Sequence, residues 1–302
     1  MHKEKNSNSS FFNSKELLLY FKLLKPEQYL KNLLIFAPLF FSGSAFLFSI
    51  DYIILFLSFS ALTSSVYIFN DLFDLNEDKS HPLKKLRPLP AKKIKIRTAY
   101  YIAICLFFFS ISLIYFFGKN LIILYLIYFF QNILYSKHLK RILILDIFIV
   151  SLGFLIRLFI GSIYFNLQLS IWLILLTQSI VFFIILVKRK VDFKNETFAS
   201  FKYNSQRKFY KSKISLYGIR LTQILIFMLY SIYLVFLYLD KNTNYFLIIS
   251  SFFLSVFIIL RYYESSMKFN YSSPLKILFY DKSLIFTSLT WFLINIMIYY
   301  YD

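Results

Sequence analysis

Cysteine, histidine, glycine, proline and acidic side chains are all scarce in this 302-residue chain. The single cysteine, Cys105, lies in an apolar run, which excludes an intrachain disulfide and any cysteine metal cluster. Three histidines, His2, His81 and His138, are too few and too scattered for a zinc site. Only 16% of the residues are charged, against about a quarter in an ordinary soluble domain, which argues against a soluble single-core enzyme. Five glycines and six prolines, beside abundant Lys, Phe, Ile, Tyr and Asn, form the bias an AT-rich genome produces. The formal charge of +19 therefore implies no nucleic-acid partner by itself.

What is present is apolar: 59% of the residues, 22% of them all aromatic, with a mean hydropathy of +0.62. Continuous runs such as 52–60, 100–117 and 246–260 approach the ~20 residues a helix needs to cross a bilayer. They do not alternate, which argues against a β-barrel. The pattern predicts an all-α polytopic membrane bundle of about nine transmembrane helices, over 30–50, 52–70, 98–117, 121–136, 142–164, 168–187, 214–239, 245–263 and 283–301. Residues 1–29 read as a cytoplasmic N-terminal segment without a cleavable signal peptide, carrying an amphipathic surface helix over 14–25. Residues 30–302 read as the nine-helix catalytic domain. With a cytoplasmic N-terminus, 31 Lys and Arg fall on inside segments, and only Lys119 and Lys241 on outside loops. Polar chemistry is then expected at the cytoplasmic face of a bacterial cytoplasmic (inner) membrane.

The most informative segment is 65–91, SVYIFNDLFDLNEDKSHPLKKLRPLPA. Asn70, Asp71, Asp74 and Asp78 spell N-D-x-x-D-x-x-x-D at the end of the second span. Residues three and four apart share a helix face, so Asp71, Asp74 and Asp78 are expected to form one carboxylate stripe. Like charges so placed repel, and a divalent cation reverses that sign; Mg²⁺ takes a few carboxylates plus water and phosphate oxygens. A charged helix end surfacing into water would carry the same Asp pattern. The sequel separates the two, because His81, Lys84, Lys85 and Arg87 follow at once. Acidic residues for metal beside basic ones for phosphate is the layout a diphosphate–Mg²⁺ substrate requires. Half of the six prolines, Pro82, Pro88 and Pro90, shape this one loop.

A second constellation runs from Tyr135 through Lys140 and Arg141 to Asp146, Gly153, Phe154 and Arg157. Asp146, Val150, Gly153 and Arg157 fall on one helix face. Ionised groups inside a span are costly and should face the bundle interior or a wet cavity, where a substrate role and a plain ion pair are equal readings. Gly153 and Gly161 fit close helix packing. Near the first span, Gln28, Lys31 and Asn32 share a face, and Lys31 also fits a lysine snorkelling to headgroups. Lys188, Arg189 and Asp192 close the sixth span, where a positive-inside anchor is the default. The following loop, to residue 213, fits a solvated basic segment beside anionic lipid.

Three stretches, LKPEQYLKNLLIFAPLF, YIFNDLFDLNEDKSHPLKKLRPLPA and YSKHLKRILILDIFIVSLGFLIR, resemble the UbiA-type intramembrane prenyltransferase superfamily. More narrowly, they resemble its decaprenyl-phosphate phosphoribosyltransferase branch. KRKVDF after the sixth span and Arg261, Tyr262, Pro274 and Asp281 fit that branch too, so the resemblance extends from about Leu24 to Asp281. The wider superfamily usually has a second D-x-x-x-D motif, whereas here Asp146 is followed four residues later by Val150. That departure favours the phosphoribosyl branch.

The resemblance implies Mg²⁺-dependent transfer of 5-phosphoribose from phosphoribosyl pyrophosphate to a polyprenyl phosphate, for cell-envelope glycan synthesis. On that reading Asp71, Asp74 and Asp78 hold the metal, with Asp146 as a further catalytic carboxylate. Lys84, Lys85 and Arg87 bind phosphate oxygens, with Asn32, Asn70, His81 and Tyr135 as further substrate contacts. Arg157, Lys31 or Lys140 meets the lipid phosphate, and Lys188 and Arg189 add cations for the second phosphate of the donor. Two alternatives stay open. One is a prenyltransferase moving a prenyl chain from prenyl diphosphate to an aromatic acceptor. The other is a membrane transporter using Asp146 and Arg157 as a coupled pair.

Overall fold

A computed structural model describes residues 14–43, 49–81, 83–195, 204–241 and 244–300. Pro82, and residues 1–13 of the expected N-terminal segment, lie outside the described residues. Among the described residues the chain is helical throughout, with no strand. Helix α1 is Ser14–Leu24; a 3₁₀ stretch, Pro26–Phe36, leads into α2, Ala37–Phe41. Then follow α3 (Ile50–Phe73), α4 (Leu75–Ser80), α5 (Ile96–Gly118), α6 (Ile122–Lys137), α7 (Leu143–Tyr164) and α8 (Ile171–Lys194). The remainder is α9 (Asn204–Lys211), α10 (Lys213–Lys241), α11 (Tyr245–Phe269), α12 (Pro274–Tyr280) and α13 (Lys282–Tyr300).

Seven helical stretches among the described residues are long and apolar enough to cross a membrane. One of them, Ile96–Lys137, covers 42 residues and folds back at Gly118, whose backbone is extended (φ −172°). Its halves α5 and α6 lie side by side, bringing the Phe107 ring to 4.4 Å from that of Phe129. The span expected as one helix over 30–50 takes a different form. The chain there is the 3₁₀ stretch followed by the short α2, and a 3₁₀ turn rises about 2.0 Å per residue, so eleven residues climb as far as a longer α-helix would. Helix α8 outruns its expected end at 187 because Val191 and Phe193 are themselves buried, so Lys188, Arg189 and Asp192 ride on the helix.

The interior is apolar and aromatic. Ile35, Phe59, Tyr125, Tyr128, Ile156 and Ile160 form one cluster across the 3₁₀ stretch, α3, α6 and α7. A second joins Phe183 and Val187 of α8 to Ile219 and Ile226 of α10, Ile259 of α11 and Leu284 of α13. The outward faces are apolar as well: Phe108 and Phe116, Ile224 and Met228, Phe253 and Phe286 are exposed. Such surface is a liability in water and is natural against lipid. Helix α1 packs through Leu23, which is buried beside Ile68, Leu72 and Ala103, while its apolar Leu17, Leu18 and Phe21 are exposed.

Gly161 marks the tightest approach. A Cβ there would collide with the carbonyl oxygen of Ile35, a backbone atom that cannot turn aside. Gly161→Val is therefore expected to separate α7 from the 3₁₀ stretch and cost about 2–3 kcal/mol, typical of overpacking. A clear drop in melting temperature in detergent should report it, and an unaltered melt would count against this contact. Gly153 is less constrained, because a Cβ there meets the Tyr128 ring at an ordinary 3.5 Å.

Candidate active site

The end of α3 and the start of α4 deliver the carboxylates. Asp71 lies in the last turn of α3, Asp74 caps it, and Asp78 sits in α4. The backbone keeps helical register across the junction, with Asp74 N donating to Asn70 O at 2.9 Å and Asp78 N to Asp74 O at 2.8 Å. The three carboxylates differ in what they face. Asp74 and Asp78 line a cavity of ≈400 Å³ with Asn70 and Glu77, whereas Asp71 lies outside it. Asp71 is buried and accepts from Lys25 Nζ at 2.6 Å and Arg87 Nη1 at 3.1 Å. The same Arg87 nitrogen donates to Asp78 at 2.8 Å, so one guanidinium spans both carboxylates.

Basic side chains from distant segments face these acids. Lys140, on the turn after α6, pairs with Asp74, and Lys84 lies 3.7 Å from Asp78. Arg141 reaches Glu77 at 3.4 Å. Lys25 adopts a left-handed backbone (φ 54°), which ends α1 and turns its amine inward. Burial pulls the Lys25 amine below its ordinary pKa, with the Asp71 carboxylate opposing the shift. Burial likewise raises the Asp74 carboxyl, against the pull of Lys140. Burial and then the Lys84 charge lower His81, favouring the neutral ring, whose Nδ1 accepts from the backbone N–H of Leu83 and Lys84 at 3.1 Å each.

Lys31, Arg157 and Lys188 line the same cavity. Arg157 is buried and donates to Asn32 Oδ1 at 3.1 Å, Gly153 O at 2.6 Å and Tyr128 OH at 3.0 Å, all neutral acceptors. The rings of Phe59, Tyr128 and Phe154 surround its guanidinium at 5.0–5.4 Å, a cation–π setting that helps hold a charge away from water. Lys31 donates to Gln28 Oε1 at 2.6 Å.

Asp146 and Arg157 do not pair. Eleven residues of α-helix set them about 16 Å apart along α7. Asp146 is instead held by Arg189 of α8, with Nε donating at 2.8 Å and Nη2 at 2.5 Å, and by Tyr135 OH at 2.7 Å. The coupled pair behind the transporter alternative is thus absent.

Of the side chains singled out in the sequence, Asn70, Asp74, Asp78, His81, Lys84, Tyr135, Lys140, Arg157, Lys31, Lys188 and Arg189 line the cavity. Asn32 is buried behind it on Arg157, Ser60 and Thr63. Arg87 and Asp146 stand behind as partners of lining residues, and Lys85 is exposed outside it. The cavity also takes Tyr67, Tyr128, Asn132, Phe193 and Gln206. Tyr128, Asn132 and Tyr135 follow i, i+4, i+7 on α6, a polar stripe visible in the sequence; nothing local marks Gln206.

Among the described residues no three His, Cys, Asp or Glu side chains gather into a metal cage. The donor chemistry fits Mg²⁺ all the same, because that ion takes one or two carboxylates and leaves other positions to water and substrate phosphate. Asp74 and Asp78 supply such a pair, already facing cationic groups.

Residues 33–280 match the model of the UbiA prenyltransferase family. The decaprenyl-phosphate phosphoribosyltransferase of Mycolicibacterium smegmatis is 35% identical over 162 residues, 51% of this chain and 50% of that protein. The enzyme of that name from Corynebacterium glutamicum is 32% identical over 160 residues, 51% and 48% of the two chains. The chain thus spans about half the length of the curated relatives it matches. Among solved structures, a UbiA homolog from Archaeoglobus fulgidus bound to DMAPP and Mg²⁺ gives a TM-score of 0.62 over 93% of this chain and 98% of that one. At 16% identity the likeness is one of fold. Matched by the family model over most of its length and by the fold over nearly all of it, the chain belongs to the UbiA prenyltransferase family.

Proposed function

We propose that the chain transfers 5-phosphoribose from phosphoribosyl pyrophosphate to a polyprenyl phosphate. The observation that carries this reading is the surplus of cations on one cavity: Lys84, Lys140 and Arg189 pair with carboxylates, and Lys31, Arg157 and Lys188 form no ion pair with one among the described residues. A prenyl diphosphate with an aromatic acceptor brings one diphosphate. Phosphoribosyl pyrophosphate with a lipid phosphate brings two further phosphates, and each needs donors. The relatives named as decaprenyl-phosphate phosphoribosyltransferases support the same choice.

In this reading Asp74 and Asp78, with the Asn70 amide beside them, hold Mg²⁺. Asp71 acts behind them by fixing Arg87 and Lys25. The bound ion supplies Lewis-acid stabilisation of the leaving pyrophosphate. A phosphate oxygen of the lipid attacks C1 of the ribose as the bond from C1 to the pyrophosphate oxygen breaks, and pyrophosphate leaves. The nucleophile is already an anion near neutral pH, so no side chain has to remove a proton. Lys31, Arg157 and Lys188 orient that anion, and the apolar tail lies against the Phe- and Leu-rich outer faces. Lys84 after α4, Lys140 and Arg141 after α6, and Gln206 of α9 meet at this end, which we place at the cytoplasmic face.

Membrane vesicles test reaction and sidedness together. Ribose-labelled phosphoribosyl pyrophosphate, which does not cross lipid, should pass label into the polyprenyl phosphate fraction in inside-out vesicles with Mg²⁺ and in neither right-side-out vesicles nor chelator. Transfer from a prenyl diphosphate in preference to phosphoribosyl pyrophosphate would refute the reading.

A further inference from the structure

The charged groups of the cavity fall into two sets. In the first, each carboxylate already holds a cation of this chain: Asp74 takes Lys140, and Asp78 takes Arg87 and Lys84. In the second, Lys31, Arg157 and Lys188 have no ion pair with a carboxylate among the described residues. Asp78 in the first set and Arg157 in the second are buried, where a charge is costly unless compensated.

The two sets must answer an arriving ligand differently. A divalent cation approaching Asp74 and Asp78 alone meets Lys140, Lys84 and Arg87 in place, and like charges repel. A diphosphate arriving alone finds those same cations committed to carboxylates. When both arrive, partners exchange: the carboxylates turn to the metal, and Lys140 and Lys84 turn to phosphate oxygens. No charge is left bare. A phosphate monoester meeting Lys31, Arg157 and Lys188 displaces no ion pair.

Lys140 is built for such an exchange. Its backbone is fixed, because its carbonyl oxygen accepts from Gln206 Nε2 at 3.0 Å and the neighbouring Arg141 is held by Glu77. Its four-carbon stem carries a compact ammonium that can swing between acceptors while the main chain stays still.

We propose that Lys140 and Asp74 form an exchange pair that makes a divalent cation and a diphosphate bind cooperatively, while a phosphate monoester binds at Lys31, Arg157 and Lys188 independently of the metal. The inference rests on the proposed function, since it assigns the metal and the diphosphate to this cavity. Linkage makes the coupling reciprocal, and about tenfold in each affinity is a typical size.

The test uses the full chain in detergent with Mn²⁺ as the metal, its free concentration read by electron paramagnetic resonance. Lys140→Met should bind Mn²⁺ about tenfold more tightly than the unaltered chain when no anion is present, because a competing charge is gone. It should also lose most of the enhancement that inorganic pyrophosphate gives the unaltered chain, after correction for Mn²⁺–pyrophosphate in solution. Lys85→Met removes an exposed charge that holds no carboxylate, and should change Mn²⁺ affinity by about twofold or less. Farnesyl phosphate should bind equally well with and without Mn²⁺. Should Lys140→Met melt early, Lys140→Gln carries the same expectations. Unchanged or weaker Mn²⁺ affinity on loss of Lys140, an equal gain from Lys85→Met, or metal-dependent farnesyl phosphate binding would overturn the exchange pair. Such a result in a chain that still performs the labelled transfer removes the exchange pair and spares the proposed function. Failure of the transfer itself in the unaltered chain is read separately, in the vesicles.

Discussion

Asp74→Ala should lower the rate of the proposed phosphoribosyl transfer by about a thousandfold, the scale on which loss of one preorganised electrostatic group acts. Asp74 faces the cavity from the cap of α3, so its loss takes away a carboxylate and leaves the Lys140 ammonium without its partner. The surrounding helices are held by Ile68, Leu72 and Leu89, none of which touches this chemistry, so the fold should persist. Rates measured at saturating donor across a Mg²⁺ titration separate ligand loss from misfolding: some activity should return at high Mg²⁺, and the melting temperature should stay close to that of the unaltered chain. Asp71→Ala offers the contrast. Asp71 is outside the cavity and acts by holding Lys25 and Arg87, so its loss should loosen the loop before α5 and not respond to Mg²⁺. Full activity of Asp74→Ala at low Mg²⁺ would remove the metal assignment.

The second large effect is on stability. Asp146 is buried in α7 and binds Arg189 through two nitrogens and Tyr135 through its hydroxyl. Removing one partner of a buried ion pair typically costs about 3–5 kcal/mol, because the other charge stays buried and uncompensated. Asp146→Ala should therefore melt well below the unaltered chain. Replacing both partners, Asp146→Leu with Arg189→Met, should recover most of that loss, since apolar groups of similar volume often serve as well as the pair. Melting curves for the two variants in one detergent settle the matter. A double variant no more stable than Asp146→Ala would show that Arg189 is not the group left stranded.

The helical bundle was legible in the sequence because bilayer spans advertise themselves through length and hydropathy, and α3, α5, α7 and α10 begin and end within a few residues of the reading. The stretch before Gly43 was not, since hydropathy does not distinguish α-helix from the steeper 3₁₀ form found at Pro26–Phe36. Within the cavity, residue types were legible and partnerships were not. Spacing correctly puts Asp146 and Arg157 on one face of α7, but a shared face says nothing of the 11-residue climb between them or of Arg189 waiting on α8. Lys25 stood in view beside Pro26, yet its partner Asp71 is 46 residues away. Tyr128 and Asn132 share a face with Tyr135 and were available to the same periodic reading that found the aspartates, but two uncharged side chains in an aromatic-rich span did not draw it.

The side chains around the cavity have a consequence for biogenesis. Among the described residues, the last to line it is Gln206, about two-thirds of the way along the 302-residue chain. Everything from α10 onward contributes support, through Ile219 and Ile226 packed on Phe183 and Val187 of α8. During synthesis, therefore, every described group that lines the cavity leaves the ribosome while one flank of α8 is still uncovered. A nascent chain halted after α9 would hold the described acids and bases of the cavity without the α10, α11 and α13 side chains that pack on α8.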